Sequence, residues 1–201
     1  MSTKDLLLVE SLKLFLTNGF TDVSVTDITR ATGIAKATFF HHFKNKEELL
    51  TSVIEKFFFT ALDQINADFY SLQGDTKQKL HFLFQAMTES EIKFRKMVSL
   101  EELEFKSFFF LMMEGMKKIP WFKEYYQKYH RKRNQLIHSL LSEGKKNDEI
   151  ALHIDEDRFT RFIDVTFNGI LISNIMYDRD EHQKNLDICF QMLWEQIRKH
   201  D

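Results

Sequence analysis

A single proline, at position 120, and only six glycines stand in a chain of 201 residues, while apolar residues recur at three- and four-residue spacing almost throughout. With so few backbone breakers and no convincing alternation of apolar and polar residues, the pattern admits long helices and little else. Leu8, Leu12, Phe15 and Leu16 make one face of a first helix, ended at Asn18-Gly19, where glycine can turn left-handed. Ser24, with Asp27 three positions on, reads as a capping pair for a short second helix that Gly33 stops. A third helix covers about 35–42, and Asn45 caps a fourth that its apolar positions carry to about residue 70. After a break at "LQGD" (72–75), helices are expected through Met87, over about 91–114, from Pro120 to about Ser142, and over about 156–178 and 181–199. Gly115 and Gly144 are taken as stops, and Asp155 as a cap. The expectation is an all-α fold of about nine helices.

Apolar content of 43% with 29% charge is that of a globular chain. Cys189 is the single cysteine, which excludes an internal disulfide and a cysteine zinc site. No metal or cofactor is therefore expected. The first residues are interrupted by Lys4, Asp5 and Glu10, unlike a secretory leader, and the apolar run "FFFLMM" (108–113) is too short to span a bilayer. A cytoplasmic protein without a membrane partner is the expectation. There is no glycine-rich phosphate loop, no Gly-x-Ser-x-Gly and no His-Glu-x-x-His, and no Glu-x-x-His pair for a di-iron centre. No residue is assigned to catalysis. A net charge of −2 argues against indiscriminate nucleic-acid binding but leaves room for a local basic patch.

That patch is at residues 31–50, "ATGIAKATFFHHFKNKEELL", where Lys36, His41, His42, Lys44 and Lys46 follow a glycine turn without an acid among them until Glu47. Two short helices joined by a glycine turn, the second one basic, match what a helix-turn-helix needs. Its second helix enters a major groove about 12 Å wide with base-reading residues at its start and phosphate-binding groups at its margins. Ser24 and Thr26 open the first of these helices, and Lys36 and Thr38 the second. Lys46 falls in the first turn of the fourth helix, where free amides also favour a phosphate. Phe39 and Phe43, four apart, are expected in the core.

The span "LVESLKLFLTNGFTDVSVTDITRATGIAKATFFHHFKNKEELL" resembles the N-terminal domain of TetR-family transcriptional repressors, at Phe15, Gly19, Phe20, Val25, Ile28, Gly33, Thr38, Phe39, His42, Phe43, Lys46 and Leu49. The sequence departs from the family pattern where Phe40 replaces a tyrosine, Ala35 a capping serine and Ala37 a glycine. The resemblance implies a helix-turn-helix domain at 1–47 and an effector-binding and dimerisation domain at 48–201, joined by the helix at about 46–70. The DNA-contacting set is then Ser24, Thr26, Lys36, Ala37, Thr38, Phe40, His41, His42 and Lys46.

Beyond that domain, Leu186, Cys189, Phe190, Leu193, Trp194 and Ile197 form a continuous apolar stripe, and "FTRFIDVTFNGILISNIMY" is apolar on more than one face. Phe167, Leu171, Leu186, Phe190, Leu193, Trp194 and Ile197 are accordingly expected in a two-fold homodimer interface, with a monomeric core as the competing reading. Phe84, Met87, Phe109, Met112, Met113, Trp121, Tyr125, Phe162 and Thr166 are the candidate lining of an effector cavity, although such a pattern also fits plain core. The 21 phenylalanines favour a small apolar or aromatic effector. The expected function is a ligand-responsive repressor that binds a near-palindromic double-stranded DNA operator. The alternative is an all-helical carrier or sensor of a hydrophobic small molecule with weakened DNA binding.

Overall fold

The computed structural model describes residues 1–86, 105–176 and 179–200. Among them there is no strand, only one isolated bridge between Ile150 and Arg198. The helices are α1 (Thr3–Asn18), α2 (Val25–Thr32), α3 (Lys36–His42), α4 (Lys46–Val53), α5 (Thr60–Ser71), α6 (residues 76–86), α7 (Phe105–Lys118), α8 (Phe122–Lys146), α9 (Glu156–Met176) and α10 (Arg179–Ile197). Between α4 and α5 the chain makes a π-helical turn, Ile54–Phe59, so that helical backbone continues from residue 46 to 71. The wider turn changes the phase of the apolar stripe, and Ile54, Phe57 and Phe59 are all buried.

Local chemistry sets the ends of the first helices. The Ser2 hydroxyl accepts the Asp5 amide, and Gly19, at φ 83°, donates to the Phe15 carbonyl to close α1. Ser24 and Asp27 form the expected reciprocal capping box on α2, and Gly33 ends it in the left-handed region at φ 67°. Asn45 caps α4 by accepting the Glu48 amide at 2.8 Å.

The described residues form two compact units. The first comprises Met1–Asp63 and residues 105–125, and the second residues 64–86, 126–176 and 179–200. The expected boundary after residue 47 therefore falls inside the first unit. That unit buries Leu7, Leu12, Phe15, Ile28, Phe39, Phe43, Leu49 and Leu50. It also carries an aromatic cluster in which Phe59 stacks on Tyr125, ring centroids 3.7 Å apart, with Trp121 and Phe122 beside it. Gly115 does not stop α7, as the sequence suggested. A Cβ there would lie 2.5 Å from Ile54 Cδ1, so the glycine lets α7 seat against the π-helical turn.

The second unit is built around Leu80, Phe84, Ile137, Leu141, Ile150, Ile163, Phe167, Leu186, Phe190, Leu193 and Ile197. Gly144 likewise lies within α8, packed where a side chain would meet Thr76 and Ile150. Glu149 accepts the Thr76 amide at the start of α6, and the Ala151 amide reaches the Ile197 carbonyl, tying the end of α10 to the loop after α8. Asp155 caps α9 as expected, accepting the Arg158 amide at 3.0 Å.

Candidate nucleic-acid interface

The outer surface of α2 and α3 is where the exposed polar groups of the helix-turn-helix gather. Ser24, Thr26, Lys36, Ala37, Phe40 and His41 are exposed, and Thr38 and His42 are half-buried. Phe39 and Phe43, 0% and 2% exposed, anchor α3 inward, as their spacing predicts, and turn the opposite face of the helix outward. Phe40 is 48% exposed, its ring held edge-on to Phe39. A large apolar ring this exposed on a basic helix suits a thymine methyl or a sugar.

Ala35 gives α3 no side-chain cap, and the Thr38 amide turns to the Ala35 carbonyl at 2.9 Å instead. The Ser24 hydroxyl, by contrast, is committed to the capping box, donating to Asp27 at 2.5 Å and accepting its amide. The hydroxyl first, and then the Ser24 amide donating to the same carboxylate at 2.9 Å, hold the Asp27 carboxyl below the usual carboxylate range. Arg30 pairs with the same carboxylate at 3.3 Å while remaining largely exposed. Lys44, absent from the expected set, is exposed directly after α3.

Lys46 stands apart from the other basic residues. Its Nζ donates to the carbonyls of Val23 (2.6 Å), Phe20 (2.7 Å) and Thr21 (3.3 Å), and it lies 4.3 Å from the Phe20 ring centroid. An ammonium has three donors, and here all three are met within the chain. Burial lowers its pKa, with Lys118 adding to the effect against the pull of nearby carboxylates. The expected phosphate ligand is instead placed as a clamp on the turn between α1 and α2.

The expected effector residues divide between the two units. Trp121 and Tyr125 belong to the aromatic cluster of the first, where Tyr125 also donates to Asp63 at 3.1 Å. Phe109 and Met112 are half-buried there and Met113 is 38% exposed. In the second unit Phe84 is core, Phe162 is 54% exposed, and the Thr166 hydroxyl donates to the Phe162 carbonyl. Met87 lies outside the described residues.

The expected dimer stripe faces its own core. Phe167, Leu186, Phe190, Leu193 and Ile197 are at most 5% exposed within the single chain, and Trp194 packs against them. The side chain of Leu171 lies outside the described residues. The apolar side chains left open are Phe162, Val165, Ile172 and Met176 on α9, at 3-7-4 spacing, with Ile188 and Met192 on α10.

One polar cluster escaped sequence reasoning. Arg133 on α8, 7% exposed, donates to Asp164 on α9, and its Nη2 lies 3.0 Å from His130 Nδ1. Burial pushes the Asp164 carboxyl up, but Arg133 and His130 outweigh it and leave the group below the usual range. Burial, helped by the Arg133 charge, lowers His130. Four buried atoms on the same two helices, His130 Nε2, Arg133 Nε and Asn134 Oδ1 on α8 and Thr160 Oγ1 on α9, have no hydrogen-bond partner. "YHRKRNQ" hides this, because a run of basic residues reads as a solvated face.

The family model for bacterial regulatory proteins, tetR family, matches residues 7–53. Among curated proteins, the chain is 29% identical over 118 residues to the HTH-type dhaKLM operon transcriptional activator DhaS of Lactococcus lactis, covering 58% of this chain and 60% of DhaS. It is 29% identical over 84 residues to the biofilm operon icaADBC HTH-type negative transcriptional regulator IcaR of Staphylococcus epidermidis, covering 40% of this chain and 45% of IcaR. In fold it is similar to the solved SmeT–triclosan complex, at a TM-score of 0.70 and 18% identity over 99% of this chain and 93% of that one. The helix-turn-helix segment, residues 7–53, thus carries the domain described for bacterial regulatory proteins, tetR family.

Proposed function

We propose that the protein is a cytoplasmic, ligand-responsive repressor that binds a near-palindromic operator as a homodimer. The observation that carries this reading is the exposed, acid-poor surface of α2 and α3, with Lys36, Phe40 and His41 turned outward over a buried Phe39–Phe43 anchor. Lys36 and Lys44 serve as phosphate contacts. Ala37, Thr38, Phe40 and His41 meet the groove, and Lys46 positions the domain from behind.

Support for pairing comes from the open apolar seam of α9 and α10. Exposed Val165, Ile172, Met176 and Met192 are unusual on a monomer and suit a second copy of the same helices. Two copies would present two α3 helices to half-sites one DNA turn apart. Ligand response is supported by the polar cluster at Arg133, whose orphaned donors and acceptors suit an effector with at least one polar group. One relative is named as an activator and another as a negative regulator, so the sign of regulation needs its own measurement.

The deciding experiment is fluorescence anisotropy on DNA from the gene's own upstream region, against a scrambled duplex and over a range of salt. Salt-sensitive preference for the native sequence is expected, and Lys36→Ala should weaken binding and lower the salt slope by about 0.9. Equal, weak binding to both duplexes would refute the reading.

A further inference from the structure

The first unit contains a cavity of about 390 Å³ between the end of α1, the turn that follows it, and α7. It lies outside every residue assigned above to DNA, effector or dimer. Phe15, Phe20, Phe110 and Leu111 give it apolar walls, and Asp22 and Glu114 bring two carboxylates. Hydroxyls complete the lining, and among the described residues no lysine, arginine or histidine is part of it. Glu114 Oε2 is shielded from solvent and has no hydrogen-bond partner. Two ammonium groups lie against the Phe20 ring, Lys46 with its donors met by carbonyls and Lys118 at 5.9 Å from the centroid.

A shielded carboxylate oxygen without a donor is costly, and a cavity with aromatic walls and no basic group is a poor home for an anion. A neutral apolar guest would fill the walls but leave Glu114 unmet. A cation with N–H donors and a flat apolar body answers both conditions, since aromatic faces also attract an ammonium. We propose that this cavity binds a small arylalkyl ammonium ion, its ammonium between Glu114 and Asp22 and its ring among Phe15, Phe20 and Phe110. The cavity wall includes Gly19, Phe20, Thr21 and Asp22, the turn that leads to the Ser24 cap of α2 and that Lys46 clamps. Occupancy would therefore brace the segment on which the DNA-facing helices rest.

The test uses the full chain and three probes of one shape and different charge: 2-phenylethylammonium, 2-phenylethanol and 3-phenylpropionate, followed by calorimetric titration and thermal melting near pH 7. The ammonium ion is expected to bind about tenfold or more tighter than the alcohol, with no binding of the carboxylate. Glu114→Gln should bring ammonium and alcohol within about twofold of each other while leaving the unliganded melting temperature nearly unchanged. Asp22→Asn, at an exposed position, should give a smaller loss and serves as the check if Glu114→Gln disturbs folding. Three outcomes would overturn the proposal: no ammonium binding up to about 10 mM, equal affinity for all three probes, or an ammonium preference that survives Glu114→Gln. The first of these would mean that Glu114 is met in solution by a group of the protein.

Discussion

Replacing Lys46 by methionine tests whether the residue serves the DNA or the fold. The change keeps an apolar stem of similar length over Phe20 and removes only the ammonium. Two of its hydrogen bonds, to Val23 and Phe20, are short and partly buried, and the third is long and exposed. A charge-assisted bond contributes about 1.5–3 kcal/mol. Water can reach part of the vacated site, so a net loss of about 2–4 kcal/mol is expected from the two good bonds together. For a chain of this length that is a fall in Tm of about 5–15 °C. DNA affinity should drop in proportion to the loss of ordered domain, while the slope of log affinity against log salt stays at the wild-type value. A phosphate ligand behaves in the opposite way: its removal leaves Tm nearly unchanged and makes the slope shallower by about 0.9. Melting and salt titration of Lys46→Met beside Lys36→Ala separate the two. A shallower slope in Lys46→Met at unchanged Tm would refute the clamp.

Gly115→Ala should cost about 1–3 kcal/mol, read from urea unfolding, because the new methyl would press on Ile54 and Phe122; an unchanged midpoint would mean the π-helical turn yields freely. Val165→Glu, at an exposed site on α9, is expected to give monomers in sedimentation and to abolish high-affinity operator binding, whereas Leu193→Ala, in the core, should cost about 2–5 kcal/mol in folding stability. Burial holds His130 and His182 below the ordinary histidine range. The unfolded chain therefore takes up protons below about pH 6.5 where the folded chain resists them. Stability should be complete above that pH and decline as the pH falls toward the depressed values, and His130→Gln with His182→Gln should flatten the decline. The lowered carboxyls of Asp27 and Asp164 add a separate loss at still lower pH.

The helix-turn-helix was legible because its signals are local. The Ser24–Asp27 box, the left-handed Gly33 and the Asn45 cap each act within four residues, and each is where the pattern put it. What the sequence could not supply was the partner of a buried face. The α10 stripe of Leu186, Phe190, Leu193 and Ile197 announces burial by its spacing, yet the same spacing serves a core or an interface, and here the core takes it. The open seam on α9 was hidden because that helix is apolar on both sides. Gly115 and Gly144 were read as punctuation, whereas close approach of neighbouring side chains explains both. Lys46 misled for a related reason: a basic residue near a helix start attracts a phosphate in the abstract, but three carbonyls reach it first.

The bare N-terminus of α3 has a consequence for how the free and bound protein differ. Ala35 leaves the opening amides of the recognition helix without the side-chain acceptor that stabilises α1, α2 and α4. Off the operator, that end should fray and exchange its amide hydrogens readily, because a missing cap weakens a helix start by about 1 kcal/mol. If α3 docks on DNA as proposed, a phosphate oxygen can stand where a serine hydroxyl would have stood, and the duplex would complete the helix. Ala35→Ser should therefore slow amide exchange at the start of α3 in the free protein while reducing what DNA gains by holding it.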